Sequence, residues 1–249
     1  MLPMQTNAAM PELAVVVPVR NEQDNILSLV AEIHAALDGV DFEVVYVDDG
    51  SDDRTPQKLA EAKAQYPRLR SVRHAESCGQ SQAVATGVKT ARARFVATLD
   101  GDGQNDPADI PALLDRLRAA SNPDLFLVAG HRHKRRDSAV KRYSSRFANA
   151  LRRALLNDET PDTGCGLKVF SRAGFLDLPR FDHMHRYLPA LYLRNGGQVV
   201  SVPVNHRPRE RGVSKYGTLD RALVGITDLL GVMWLIRRAS VPEIDPADD

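Results

Sequence analysis

Five short apolar runs, each parted from the next by a segment with helical spacing, fill the first 130 residues of the chain. The runs are Leu13–Val17, Phe42–Val47, Leu69–Arg73, Phe95–Leu99 and Leu125–Ala129. Between the first two, Ile26, Leu29, Val30, Ile33 and Leu37 recur at the period of one helix face over Asn25–Leu37. A second helix is predicted from Thr55, with Pro56 in its first turn. A third spans Gln80–Ala91, and Asp106-Pro107 starts a fourth that leads to Leu113, Leu114 and Leu117. Runs this apolar and this short are buried on both sides. Alternation of such runs with helices predicts an α/β fold: a mostly parallel central sheet with helices on both faces. Ligands of such sheets bind beyond the carboxyl ends of the strands.

The second half is less regular. Val140–Leu156 reads as a basic helix, Gly166–Ser171 and Val199–Val204 as strands, with the latter ending near Pro203. Leu219–Ile236 reads as a helix with Leu219, Ala222, Leu223, Ile226, Leu229, Leu230 and Met233 on one stripe. The most apolar stretch, Ala222–Ile236, has fifteen residues and includes Thr227 and Asp228. A spanning helix needs about 20 apolar residues, so no transmembrane segment is expected. No basic start followed by an apolar run marks a signal peptide at Met1–Pro11. The expected organisation is a flexible 1–12, a catalytic domain over 13–217, a C-terminal helix over 218–238 and a disordered tail over 239–249.

Charge narrows the function classes. Lys plus Arg number 33 against 32 Asp plus Glu, for a net charge of +1. A uniformly basic nucleic-acid binder is disfavoured, and aromatic residues at 6% give little for base stacking. The positive charge is local: nine Lys/Arg against Asp137 between His131 and Arg153 give +8 in 23 residues. Such a stretch suits an anionic partner. Two cysteines, Cys78 and Cys165, exclude a disulfide scaffold and a four-Cys zinc site.

The carboxylates stand where ligands are expected. Asp100-Gly101-Asp102 closes the fourth run, and Gln104 follows. Two carboxylates two residues apart suit one hard divalent cation that shares its shell with substrate phosphates. Asp48-Asp49-Gly50-Ser51 closes the second run; it reads either as a turn or as an acceptor for a base or ribose at Asp49. Neither a Gly-x-Gly-x-x-Gly after a strand nor a Gly-Lys-Ser/Thr occurs, which excludes the dinucleotide and P-loop patterns. Gly79-Gln80-Ser81-Gln82-Ala83 resembles a nucleophile elbow but ends in Ala, so Ser81 reads as a helix-entry residue. His131/His133 and His183/His185 lack the spacing of a zinc site.

Six ordered runs together resemble family 2 glycosyltransferases, in particular the dolichol-phosphate mannosyltransferase-like group. They are 15–22 (VVVPVRNE), 47–55 (VDDGSDDRT), 79–83 (GQSQA), 99–107 (LDGDGQNDP), 162–168 (DTGCGLK) and 209–216 (RERGVSKY). The resemblance implies a GT-A (Rossmann-like) fold and an inverting transfer of a mannose- or glucose-like sugar from a GDP- or UDP-sugar to a polyprenyl phosphate. By matching position, Pro18, Arg20, Glu22, Val47, Asp49, Gln80, Asp100 and Gly101 would hold the nucleotide-sugar. Asp100, Asp102 and Gln104 would hold Mg²⁺ or Mn²⁺. Asp102, Arg132, Arg142, Arg209 and Lys215 would carry catalysis, the cations meeting the donor diphosphate and the acceptor phosphate. Arg20 replaces a frequent Tyr, and Gly103 a frequent Leu. A cytoplasmic chain bound peripherally at the inner membrane face is expected, with no nucleic-acid partner and with a second copy or a membrane protein as a further partner. Two rival expectations are a transferase acting on a sugar hydroxyl in cell-envelope polysaccharide synthesis and a noncatalytic nucleotide-sugar or anion-binding module.

Overall fold

The computed structural model describes residues 10–132, 152, 155–156, 158, 160–208 and 218–242. Seven strands form one sheet: β1 (Leu13–Val19), β2 (Phe42–Asp48), β3 (Leu69–Arg73), β4 (Phe95–Thr98), β5 (Phe126–Arg132), β6 (Lys168–Ser171) and β7 (Gln198–Val204). Their spatial order is β3-β2-β1-β4-β6-β5-β7. β1 pairs in parallel with β2 and β4, β2 with β3, and β5 with β7, whereas β6 runs antiparallel to both β4 and β5. One reversed strand thus sits inside an otherwise parallel sheet. Because β6 is reversed, the loop that precedes it, 162–167, emerges at the edge where the parallel strands end.

Alternate residues of β1 enter two different cores, as the period-two geometry of a strand requires. Leu13, Val15 and Val17 pack with helices α1 (Ile26–Ala36), α2 (Thr55–Gln65) and α4 (Ile110–Arg118). Ala14 and Val16 face α3 (Gln80–Thr90), α6 (Leu188–Arg194) and the C-terminal helix α7 (Thr218–Arg237). A short α5 (Arg172–Leu176) follows β6. Both faces of the sheet are therefore covered, as the apolar runs require. A Cβ at Gly87 in α3 would lie 2.3 Å from Val16 Cγ1, so the absence of a side chain sets the distance of this helix from the sheet.

Two prolines lie within strands without breaking them. Pro18 occupies central β1, but β4 pairs only as far as Val16↔Thr98, so the missing N–H faces no strand on that side. β1 therefore runs two residues past the predicted Val17. Pro203 sits in β7, an edge strand, which continues to Val204. Asp106 caps the helical start as expected: its Oδ1 accepts from Ala108 N at 3.0 Å, over a 3₁₀ turn Pro107–Asp109 that leads into α4. Helices α5 and α6 were not predicted. Most of the predicted basic helix 140–156 lies outside the described residues.

Along α7 the predicted stripe is corrected. Val232 is 1% exposed and Leu229, Met233 and Ile236 pack beside it, whereas Ile226, Leu230 and Trp234 stand 57%, 59% and 59% exposed. No helix among the described residues is long and apolar enough to cross a membrane.

Candidate active site

The carboxyl ends of β1 and β4, the first turn of α3 and the loop before β6 converge on Asp100. Its Oδ1 accepts from Gln80 Nε2 at 2.9 Å, and its backbone N donates to Asn105 Oδ1 at 3.3 Å. Gly166 is pressed against the carboxylate so closely that a Cβ there would lie 2.2 Å from Oδ2. Gly101 is equally constrained: a Cβ would fall 2.4 Å from Val19 Cγ1 and 3.0 Å from Pro18 O. Both glycines are thus required by close approach. Burial, then the charge of Asp102, pushes the Asp100 carboxyl up to about 6, although Lys168, Arg132 and Gln80 pull the other way. Two carboxylates forced together with one desolvated are relieved by a bound cation, and the all-oxygen set of Asp100, Asp102 and Gln104 fits Mg²⁺ or Mn²⁺.

The Asp102 loop is fastened to the far end of the chain. Gln104 N donates to Asp102 Oδ1 at 3.1 Å, which shapes the turn around Gly103, at φ +74°. Arg207 N donates to Gln104 O at 2.9 Å, and the Arg207 guanidinium bonds Asp106 at 2.7 Å and Glu32 at 2.5 Å. Gln104 Nε2 itself donates to Arg207 O at 3.4 Å. Arg207 was not singled out in the sequence, where it precedes the RERGVSKY run by two residues. Arg142, Arg209 and Lys215 lie outside the described residues.

Arg132 ends β5 at the same edge. Its Nε and one terminal nitrogen donate to the two oxygens of Asp162 at 2.6 and 2.7 Å. Burial disfavours its charge, but the Asp162 hydrogen bonds and charge outweigh that and hold the guanidinium above its ordinary value. Arg152, also in the basic stretch, is buried against Asp158, Thr160 and Thr163. The expected +8 stretch is therefore partly neutralised by acids at 158 and 162. Lys168, 3% exposed, donates to the carbonyls of Cys165 and Thr163; burial pulls its pKa down, against the raising effect of Cys165, Asp100 and Asp162. The sequence alone assigns this lysine no role.

The residues expected to hold the nucleotide-sugar divide in their placement. Pro18, Gln80 and Asp100 line a cavity of about 20 Å³ with Val84, Thr98, Leu99, Gly166, Lys168 and His185, room for about one water. Arg20 is exposed beside it in sequence, and Glu22 Oε2 accepts from Asn25 Nδ2 at 2.7 Å. Two of the expected residues have side chains engaged within the protein. Val47 is a core side chain, 0% exposed on the α3 face of β2, the face it shares with its register partner Pro18. Asp49 does not offer an open carboxylate. It accepts from His74 Nδ1 (2.8 Å), Ser77 Oγ (2.7 Å), Cys78 N (2.8 Å) and Gly79 N (2.9 Å), which engages its four acceptor positions. Desolvation raises its pKa, but these hydrogen bonds win and hold it below the ordinary value. In this state Asp49 shapes the 74–79 loop. Asp49, His74 and Cys78 also place ligand-type atoms within 4.8 Å of one another, but hydrogen bonds account for the arrangement, His74 being held between Asp49 and Thr86 Oγ1.

The chain matches the family described as Glycosyl transferase family 2 over residues 14–178. It belongs to that family. A dodecaprenyl-phosphate galacturonate synthase of Rhizobium johnstonii is 35% identical over 240 residues, 93% of this chain and 69% of the relative. An undecaprenyl-phosphate 4-deoxy-4-formamido-L-arabinose transferase of Edwardsiella ictaluri is 34% identical over 83% of this chain and 63% of its own length. The family 2 chain thus spans about two thirds of these curated relatives. Among solved structures, glucosyl-3-phosphoglycerate synthase from Mycobacterium tuberculosis, in complex with Mn²⁺, UDP and glucosyl-3-phosphoglycerate, superposes with TM-score 0.64 at 20% identity, covering 94% of this chain and 81% of that one. The mannosyltransferase PcManGT from Pyrobaculum calidifontis, in complex with GDP-Man and Mn²⁺, gives 0.63 at 22% identity, covering 94% and 67%. The fold is GT-A, as expected.

Proposed function

We propose that this family 2 chain transfers a glycosyl group from a nucleotide-sugar to a polyprenyl phosphate, with inversion at the anomeric carbon. The observation that carries the reading is the desolvated Asp100 beside Asp102 at the strand ends, with Arg132 on the same edge. Two relatives above 30% identity, named for transfer to dodecaprenyl and undecaprenyl phosphate, support the acceptor class. Their sugars, galacturonate and 4-deoxy-4-formamido-L-arabinose, widen the donor class beyond mannose and glucose.

The chemistry suits the residues. A lipid phosphate is anionic at neutral pH and attacks without a strong general base. Its oxygen forms the new glycosidic bond as the bond to the nucleoside diphosphate breaks on the opposite face. A divalent cation held by Asp100, Asp102 and Gln104 would offset the charge of that leaving group. Arg132, oriented by Asp162, adds a fixed positive group at the same edge. The exposed row Ile226, Leu230 and Trp234, close to Arg237 and Arg238, supports peripheral contact with the inner leaflet, where the lipid is presented.

A donor screen tests the reading: the full chain with Mg²⁺ or Mn²⁺, a short polyprenyl phosphate and a panel of GDP- and UDP-sugars including UDP-galacturonate. Nucleoside diphosphate release that requires both the lipid and the metal is expected; release without lipid, or with a sugar hydroxyl acceptor instead, overturns it. Asp102→Ala is expected to lower turnover by at least ~10²-fold while its melting curve stays cooperative.

A further inference from the structure

The first turn of α3 carries Gln80, the side chain that grips Asp100, and this turn is pinned on both sides. On one side Gly79, at φ +87°, donates its N–H to Asp49 Oδ2 at 2.9 Å. On the other, buried Ser81 meets His185, 104 residues away: Ser81 Oγ lies 2.7 Å from His185 Nδ1 and accepts the His185 backbone N–H at 3.2 Å. The hydroxyl, with one proton and two lone pairs, serves both contacts at once. Burial, then the charge of Lys168, pulls the His185 pKa down to about 3, so the ring is a neutral partner throughout the functional pH range.

His185 does not hang from a loose loop. It belongs to a strap, 181–187, fastened at several points. Asp182 accepts from Gln82 Nε2 of α3 at 3.1 Å. His183 Nδ1 lies 2.9 Å from Asp228 of α7, and Tyr187 Oη donates to Gly225 O at 3.3 Å. A rigid strap with two bonds to Ser81 fixes where α3 begins, and the start of α3 fixes the reach of Gln80. Gln80 engages one oxygen of Asp100 and so sets the plane of its carboxylate.

We infer that His185 is a positioning residue for the cation-binding carboxylate Asp100, acting through Ser81 and Gln80. This rests on the reading of Asp100 and Asp102 as the cation site. Groups that orient a metal ligand typically carry about 10–100-fold in affinity.

The test is Mn²⁺ binding to the full chain, followed by electron paramagnetic resonance of the free ion, with and without a nucleoside diphosphate. Wild type, His185→Ala, His185→Asn, Gln80→Ala and the Gln80→Ala/His185→Ala double variant are compared. His185→Ala is expected to weaken Mn²⁺ about tenfold, and His185→Asn, which keeps a polar atom near the Nδ1 position, to restore most of the loss. The double variant is expected to bind no more weakly than Gln80→Ala alone, since both act through one contact. A merely structural histidine gives additive losses, which overturns the inference, as does His185→Ala binding Mn²⁺ like wild type. If His185→Ala does not fold, Ser81→Ala carries the same cycle. Wild type that binds no Mn²⁺ overturns the cation-site reading itself, and the role of His185 falls with it; normal wild-type binding with an unaffected His185→Ala overturns the inference alone.

Discussion

At the scale of single residues, Asp100 makes the folded chain sensitive to pH. Its folded pKa of about 6 stands above the ordinary 3.8, so between these values the folded state holds more protons than the unfolded state. Stability of the metal-free protein therefore falls as pH rises through this window, and the penalty is complete above about 6. Asp100→Asn removes the charge, and is expected to melt higher than metal-free wild type at pH 7 to 8, by a margin that closes toward pH 4. His185 acts oppositely, its lowered pKa costing stability as pH falls below the ordinary histidine value, but both proteins carry it and it cancels in the comparison. Differential scanning calorimetry across pH checks this; a margin that does not change with pH contradicts the environment described for Asp100. Much at this scale was legible in the sequence. Asp100, Asp102 and Gln104 stand out by their spacing at the end of an apolar run. The burial of Val47 and the hydrogen bonds that fill Asp49 were not legible, because a run of residues shows neither which side chain turns inward nor which carboxylate is already engaged by N–H and O–H groups. Arg207 and His185 escaped because their partners, Gln104 and Ser81, lie about a hundred positions away.

Elements of secondary structure were most legible where both faces are buried. β1 to β4 follow directly from apolar runs, and α1 from its helical period. The short α5 and α6 escaped because five and seven residues give no period to read. Their local signals were present: Ser171 Oγ caps Gly174 N at 2.9 Å, and Pro189 stands in the first turn of α6. The stripe on α7 was misplaced because its sequence is apolar nearly all round, so only packing decides which side is buried. A close helix–strand contact sets the seat of α3. Gly87→Ala puts a methyl 2.3 Å from Val16 Cγ1. The helix must shift from β1, at an expected cost of about 1–3 kcal/mol. Urea denaturation measures it; an unchanged midpoint means that the helix seat yields freely.

For the whole molecule, α7 is attached by one side and open on the other. Leu230 and Trp234 are both more than half exposed while Val232 is buried. If this open row meets the lipid surface, Leu230→Glu/Trp234→Glu is expected to abolish flotation with anionic vesicles without lowering the melting temperature, because neither side chain supports the core. Flotation equal to wild type removes α7 from the membrane contact. The α/β class was legible from alternating runs and GT-A from the family resemblance, whereas the reversal of β6 was not, since a four-residue apolar strand carries no mark of its direction.

That reversed strand has a consequence for how the chain reaches this structure. Its preceding loop arrives at the site from far along the chain: Thr98 Oγ1 bonds Gly166 O across 68 positions, and Ser81 meets His185 across 104. Strands β1 to β3 instead pair with near neighbours in sequence through short crossovers. Closing long loops before any contact rewards them slows folding. The β1–β3 half of the sheet is thus expected to form while the loop beside Asp100 is still open, so that the site closes late in folding.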